Sequence, residues 1–120
     1  MYGLNEDVDL EFLDGRELIQ LCVGVHQLIF NFDELVTISV EGKFSYFDSD
    51  HEAVLQPTPQ TSTSIARTAA LLGSSIKKYT SAADGTLILE FSNQHRLTLF
   101  DSDPRFEAYT IKSPGRTIVV

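Results

Sequence analysis

The tetrapeptide Phe-Asp-Ser-Asp occurs twice, at 47–50 and at 100–103. Around the first copy, Asp48, Asp50, His51 and Glu52 crowd ligand-type side chains into a short stretch, and oxygen-rich sets of this kind suit a hard cation. The spacing argues against that chemistry. A calcium loop needs a glycine at its sharp turn and a bidentate glutamate further on, and neither is present. Around the second copy, Asp-Ser-Asp-Pro at 101–104 is ordinary turn sequence. Both copies read as solvated loops, and the first offers Asp48, Asp50 and Glu52 as an acidic surface for a protein partner.

Other chemistries lack their residues. His26, His51 and His95 fall in or beside turns and strands, none pairs with another at helical spacing, and no Cys-x-x-Cys exists, so no zinc site is expected. Cys22 stands between Leu21 and Val23 with nothing basic beside it, which describes a packed thiol rather than a nucleophile. No glycine-rich phosphate loop and no Gly-x-Ser-x-Gly elbow occurs. The sequence therefore asks for no catalytic residue, no cofactor and no metal, and no enzyme is expected.

The charge layout narrows the partners. The chain carries a net charge of −8, which disfavours the phosphate backbone of nucleic acid. Residues 1–60 hold twelve acids against Arg16 and Lys43, whereas residues 61–120 hold five acids against seven bases. Such an asymmetry either pairs the two halves with each other or presents an acidic face to a basic partner. The N-terminus shows no basic region leading into an apolar run, no stretch has the roughly 20 apolar residues of a membrane helix, and there is a single cysteine. A cytoplasmic protein without membrane contact is the expectation.

These side chains must be positioned by strands. "LIFNFDELVTISV" at 28–40 returns as "LILEFSNQHRLTL" at 87–99, with Leu28 matching Leu87 and Phe32 matching Phe91. In both, apolar residues alternate with polar ones, the mark of strands with one face on a core. Phe32 and Ile38 must share a face, so the loop between the two strands has an odd length or a bulge. In the second copy, Asn93 is the candidate for the left-handed residue of that loop. Asp84-Gly85 predicts a tight turn into Leu87. Upstream, Gly15 and Gly73 occupy matching places. "STSIARTAALL" at 62–72 spaces Ile65, Ala69 and Leu72 four and three apart and predicts a helix ended by Gly73; by analogy "DVDLEFLDG" predicts a short acidic helix or single turn ended by Gly15. Strands follow at 17–23 and 75–81, with others at 43–47, 107–112 and 117–120.

The expected fold is thus α+β and β-rich. It has two tandem helix-plus-antiparallel-meander units, residues 8–47 and 62–112, with a linker at 56–61, forming one domain over 1–120. One amphipathic meander cannot cover its own apolar face, whereas two can share a core. Ile29, Ile88 and Phe100 lie out of phase with that core and are candidates for a second apolar surface.

The order "MYGL", "DLEFLDGREL", "TISVEGKFSY", "ALLG", "DGTLILEFSN", "RLTLFD" and "FEAYTI" resembles, over nearly the whole chain, a family of small bacterial proteins of unknown function. The resemblance implies a bacterial source and a compact single domain, and it transfers no site residue. The function expected is a non-catalytic protein-interaction module, with a basic protein as the partner its acidic face would suit. Two alternatives stand beside it: an immunity or inhibitor protein neutralising a basic toxin such as a nuclease, and a small-ligand-binding protein or self-assembling homodimer.

Overall fold

The computed structural model describes residue 4 and residues 8–57, 65–101 and 107–120. The described residues are mostly β. The order is a 3-10 turn η1 (Glu11–Leu13), then β1 (Leu18–Val23), β2 (Leu28–Phe32), β3 (Thr37–Val40), β4 (Phe44–Phe47) and β5 (Glu52–Leu55). A second 3-10 segment η2 (Ala66–Leu71) is followed by β6 (Ile76–Ser81), β7 (Leu87–Phe91), β8 (Arg96–Leu99), β9 (Tyr109–Ser113) and β10 (Arg116–Val119).

The strands form two five-stranded antiparallel sheets, in the orders β1-β2-β3-β9-β10 and β5-β4-β8-β7-β6. The alternation read from sequence is the alternation of burial: Leu28, Phe30, Phe32 and Ile38 are buried, and so are Leu87, Leu89, Phe91 and Leu97. One cluster of buried residues draws on both sheets, so two amphipathic sheets remove each other's apolar faces from water.

Each half keeps its meander and lends its last two strands to the other. β4 and β5 extend the second meander, pairing Phe44 with Leu99 and Tyr46 with Leu97, while β9 and β10 extend the first, pairing Tyr109 with Val40 and Ile111 with Ile38. The halves are related residue by residue. Gly15 N–H donates to Ile76 C=O and Gly73 N–H to Leu18 C=O, both at 2.9 Å; Leu18 and Ile76 N–H reach Ser74 and Arg16 C=O in the same reciprocal way. Glu17 and Ser75, themselves counterparts, form a bridge where the halves meet, and Phe32 stacks on Phe91 with ring centroids 6.4 Å apart. β1 and β6 even share a bulge, after Leu18 and after Ile76.

The α-helical part of the expectation is corrected. Within its described residues, the helix expected at 62–72 is the 3-10 segment η2, and its buried side chains are Ile65, Thr68 and Leu71. A 3-10 winding stacks side chains three apart in line, whereas Ala69 and Leu72, read as core at helical spacing, are exposed. Leu10 and Leu13 repeat that spacing of three in η1. Gly15 and Gly73 do end these segments at positive φ, +79° and +85°, where glycine meets no Cβ penalty.

The odd loops are three residues long, closed by Phe32 N–H to Val36 C=O and Phe91 N–H to His95 C=O. The left-handed residue of the second is Gln94, not Asn93; Asn93 instead accepts the His95 N–H with its side chain at 3.0 Å. Gly85 turns at φ +96° as expected, and a Cβ there would lie 2.5 Å from that of Asp101. Strand β5 is not legible in the sequence, because its four residues Glu-Ala-Val-Leu carry no clear alternation. The segment 58–64, which includes most of the expected linker, lies outside the described residues.

Candidate functional site

Asp48 sits in the turn between β4 and β5. Its Oδ1 accepts the backbone N–H groups of Asp50 and His51, at 3.2 and 3.0 Å, and its Oδ2 pairs with the Arg67 guanidinium beside η2. The two turn N–H groups, followed by Arg67, hold its carboxyl well below the usual carboxylate range. On the neighbouring strand, the Tyr46 hydroxyl hydrogen-bonds His95 Nδ1, and burial, followed by the Asp48 charge, pushes the phenol up to about 12. Asn93 Nδ2 donates to Ala70 C=O at 3.1 Å. These contacts tie the β4–β5 turn, the β7–β8 loop and η2 together. Of the three acids singled out in the sequence, Asp48 is thus occupied within the chain, Glu52 accepts a hydrogen bond from Ser45 at 2.8 Å, and Asp50 is exposed.

The matching corner of the first half is built from η1, the β2–β3 loop and the β9–β10 turn. Here the counterpart of Asn93 is Glu34, whose side chain has no N–H to give a backbone carbonyl, and the counterpart of Asp48 is Ser113. The corner stays open as a groove of about 510 Å³ lined by the charged Glu11, Asp14, Arg16 and Glu34 together with Phe12, Val36 and Pro114. Arg16 faces Asp33 at 3.6 Å. Glu11, Asp14 and Glu34 have no ion-pair partner among the described residues. The charges of Glu11 and Asp14 reach Tyr79, whose pKa is raised by burial first and then by Glu11, Asp9 and Asp14. Between the lining residues Glu34 and Val36, Leu35 is 80% exposed and held at φ +61°, directly after Glu34 at +57°. A leucine in the left-handed region costs about 1–2 kcal/mol.

The model of a family described as "Family of unknown function (DUF6188)" matches residues 10–120. The chain belongs to this family. No curated protein and no solved structure matches it. The match in this DUF6188 protein spans both pseudo-equivalent corners, the open one and the sealed one.

Sequence reasoning placed the acidic surface on the sealed corner and passed over Glu11, Asp14, Glu34 and Leu35. A signal was present. Aligning the halves sets Asp33-Glu34-Leu35 against Ser92-Asn93-Gln94, a charged loop with an apolar tip against a neutral polar one. The charge asymmetry is partly internal: Arg67 pairs with Asp48, Arg96 lies over the Phe47 ring at 4.7 Å, and Arg116 lies over Phe12 and donates to Asp9 C=O. Ile29 belongs to one sheet and Ile88 to the other, so with Phe100 they do not make a single surface.

Proposed function

We propose that this protein is a non-catalytic interaction module whose open corner receives a basic segment of a partner protein. The observation that carries the reading is the groove whose lining brings together Glu11, Asp14 and Glu34, none with an ion-pair partner among the described residues. The corresponding space in the other half is bridged by the chain's own side chains. Pro114 and the part of Phe12 that Arg116 leaves uncovered would pack the aliphatic stem of a lysine or arginine while Glu11, Asp14 and Glu34 meet its charge. Leu35, presented at a conformational cost, supplies an apolar anchor beside them. Inhibition of a basic toxin is one form such recognition can take, and a cytoplasmic setting is part of the same proposal.

The test is affinity capture on the full chain from source cells at low and high salt, beside the triple variant Glu11→Gln, Asp14→Asn, Glu34→Gln. The expected outcome is a stoichiometric basic protein that co-elutes at low salt, is released by high salt, and is lost with the variant. An unchanged set of captured proteins in the variant would overturn the reading.

A further inference from the structure

Each sheet ends in two edge strands; β1 and β6 are bonded on the outer side only at Leu18 and Ile76 among the described residues, and three of these four strands carry charge. β6 has Lys77 and Lys78, β5 has Glu52 and β10 has Arg116. Charged side chains, lysine above all, are how β proteins keep a sheet edge from pairing with another chain. β1 is the exception. It reads Leu-Ile-Gln-Leu-Cys-Val, has no charge over six residues, and exposes Ile19 (59%) and Val23 (55%). The contrast with its counterpart is local and specific, because the bulged position of β1 is Ile19 and that of β6 is Lys77. Leu72 is also exposed, and it adjoins Gly73, whose N–H bonds Leu18 C=O; in the other half, Asp14 stands at the place of Leu72 and Lys77 at the place of Ile19. The apolar character therefore gathers on one side of the pseudo-axis.

We propose that the occupant of this edge is β1 of a second copy, joined antiparallel about Leu21 to make a continuous ten-stranded sheet. The residues from Ile19 to Val23 are self-complementary about that centre. Ile19 meets the second copy's Val23, Gln20 meets its Cys22, and Leu21 meets itself, so apolar faces apolar and polar faces polar. The regular part of the ladder is Gln20, Leu21 and Cys22; Ile19 is the bulged residue, so it and Val23 flank that ladder as apolar contacts rather than as ladder partners. A chain of net charge −8 resists self-association, yet this register brings no acid against an acid. Glu17 lies opposite Val25 of the other copy. Opposite Leu18, where residues 73–75 already cover the edge, lies Gly24, which has no side chain to collide with them. The pairing is isologous and closes at two copies, because the outer strand left on each sheet is β10 with Arg116. It uses a surface separate from the acidic groove and stands or falls independently of the partner proposed there.

A ladder of three residues per strand, flanked by Ile19 and Val23, is at the small end of specific interfaces, so the dimer is expected to dissociate on dilution. Sedimentation velocity of the full chain over a concentration series is the first readout, beside Ile19→Lys and Val23→Lys. Both side chains are largely exposed, and circular dichroism checks that the variants fold. The expected result is a concentration-dependent dimer in the native chain and a monomer in each variant. The register is read separately with Gln20→Cys, which sets the introduced thiol opposite the second copy's Cys22; oxidation by copper phenanthroline is expected to give a covalent dimer that the native chain does not form. A native chain that is monomeric at every concentration overturns the proposal. So does a dimer that both lysine variants leave intact, or a Gln20→Cys chain that fails to cross-link.

Discussion

The two halves of this chain share a backbone plan and differ in what they do with the same corner. Around η2 the corner is sealed, with Asn93 on Ala70, Arg67 on Asp48 and Tyr46 on His95. Around η1 the same corner is open, acidic and topped by a left-handed leucine. The edges repeat the lesson, lysine on β6 and apolar residues on β1. A duplicated fold provides two copies of every position, one of which can carry stability while the other is free to bind. Sealing groups and exposed groups then separate by half, not by strand.

Experiments can break this comparison at several levels. The largest effects belong to what the halves share. Phe32 and Phe91 are each 2% exposed and stack on one another, so Phe32→Ala and Phe91→Ala should each cost about 3–5 kcal/mol, with similar losses in urea unfolding. Strongly unequal losses would argue against a symmetric core. Next, Asn93→Ala removes the bonds to Ala70 C=O and from His95 N–H and should cost about 1–2 kcal/mol, whereas Glu34→Ala at the matching place should leave stability nearly unchanged. Smaller still, Leu35→Gly relieves the left-handed strain against the extra chain entropy of glycine. It should stabilise by about 0.5–1 kcal/mol while weakening capture of the partner.

The pH profile distinguishes the sealed corner further. Asp48 has a folded pKa below its unfolded one, so its contribution is complete above the ordinary carboxylate range and is lost as pH falls through the folded value. Asp48→Asn should flatten the acid side of the stability profile. Tyr46 is shifted the other way. Its contribution is complete below its ordinary value of 10 and is lost as pH rises toward about 12, so Tyr46→Phe should remove that alkaline dependence. Thermal melts across pH, read on both variants, check the two limbs.

Much of the fold is legible because period-two alternation states which face of a strand is buried before any partner is known. Leu28, Phe30 and Phe32 are core on that evidence alone, and the parity of Phe32 and Ile38 demands the odd loop that is found. The winding at 66–71 is not legible, because an apolar set at 65, 69 and 72 fits an α-helix locally, and only packing against the sheets selects the spacing of three through Thr68. The acids at 48–52 mislead for a related reason. Asp48 looks free until Arg67, nineteen positions away, is brought beside it.

The sequence by itself determined every strand but β5, the buried faces of the two meanders, the turns at Gly15, Gly73 and Gly85, and the doubling of the unit, since each rests on backbone preference or on neighbours within a few residues. Only the tertiary structure decided that each meander takes its fourth and fifth strands from the other half, which corner is closed, and which sheet edge is bare of charge. Those outcomes depend on contacts between residues far apart in the chain, and local patterning holds no record of them.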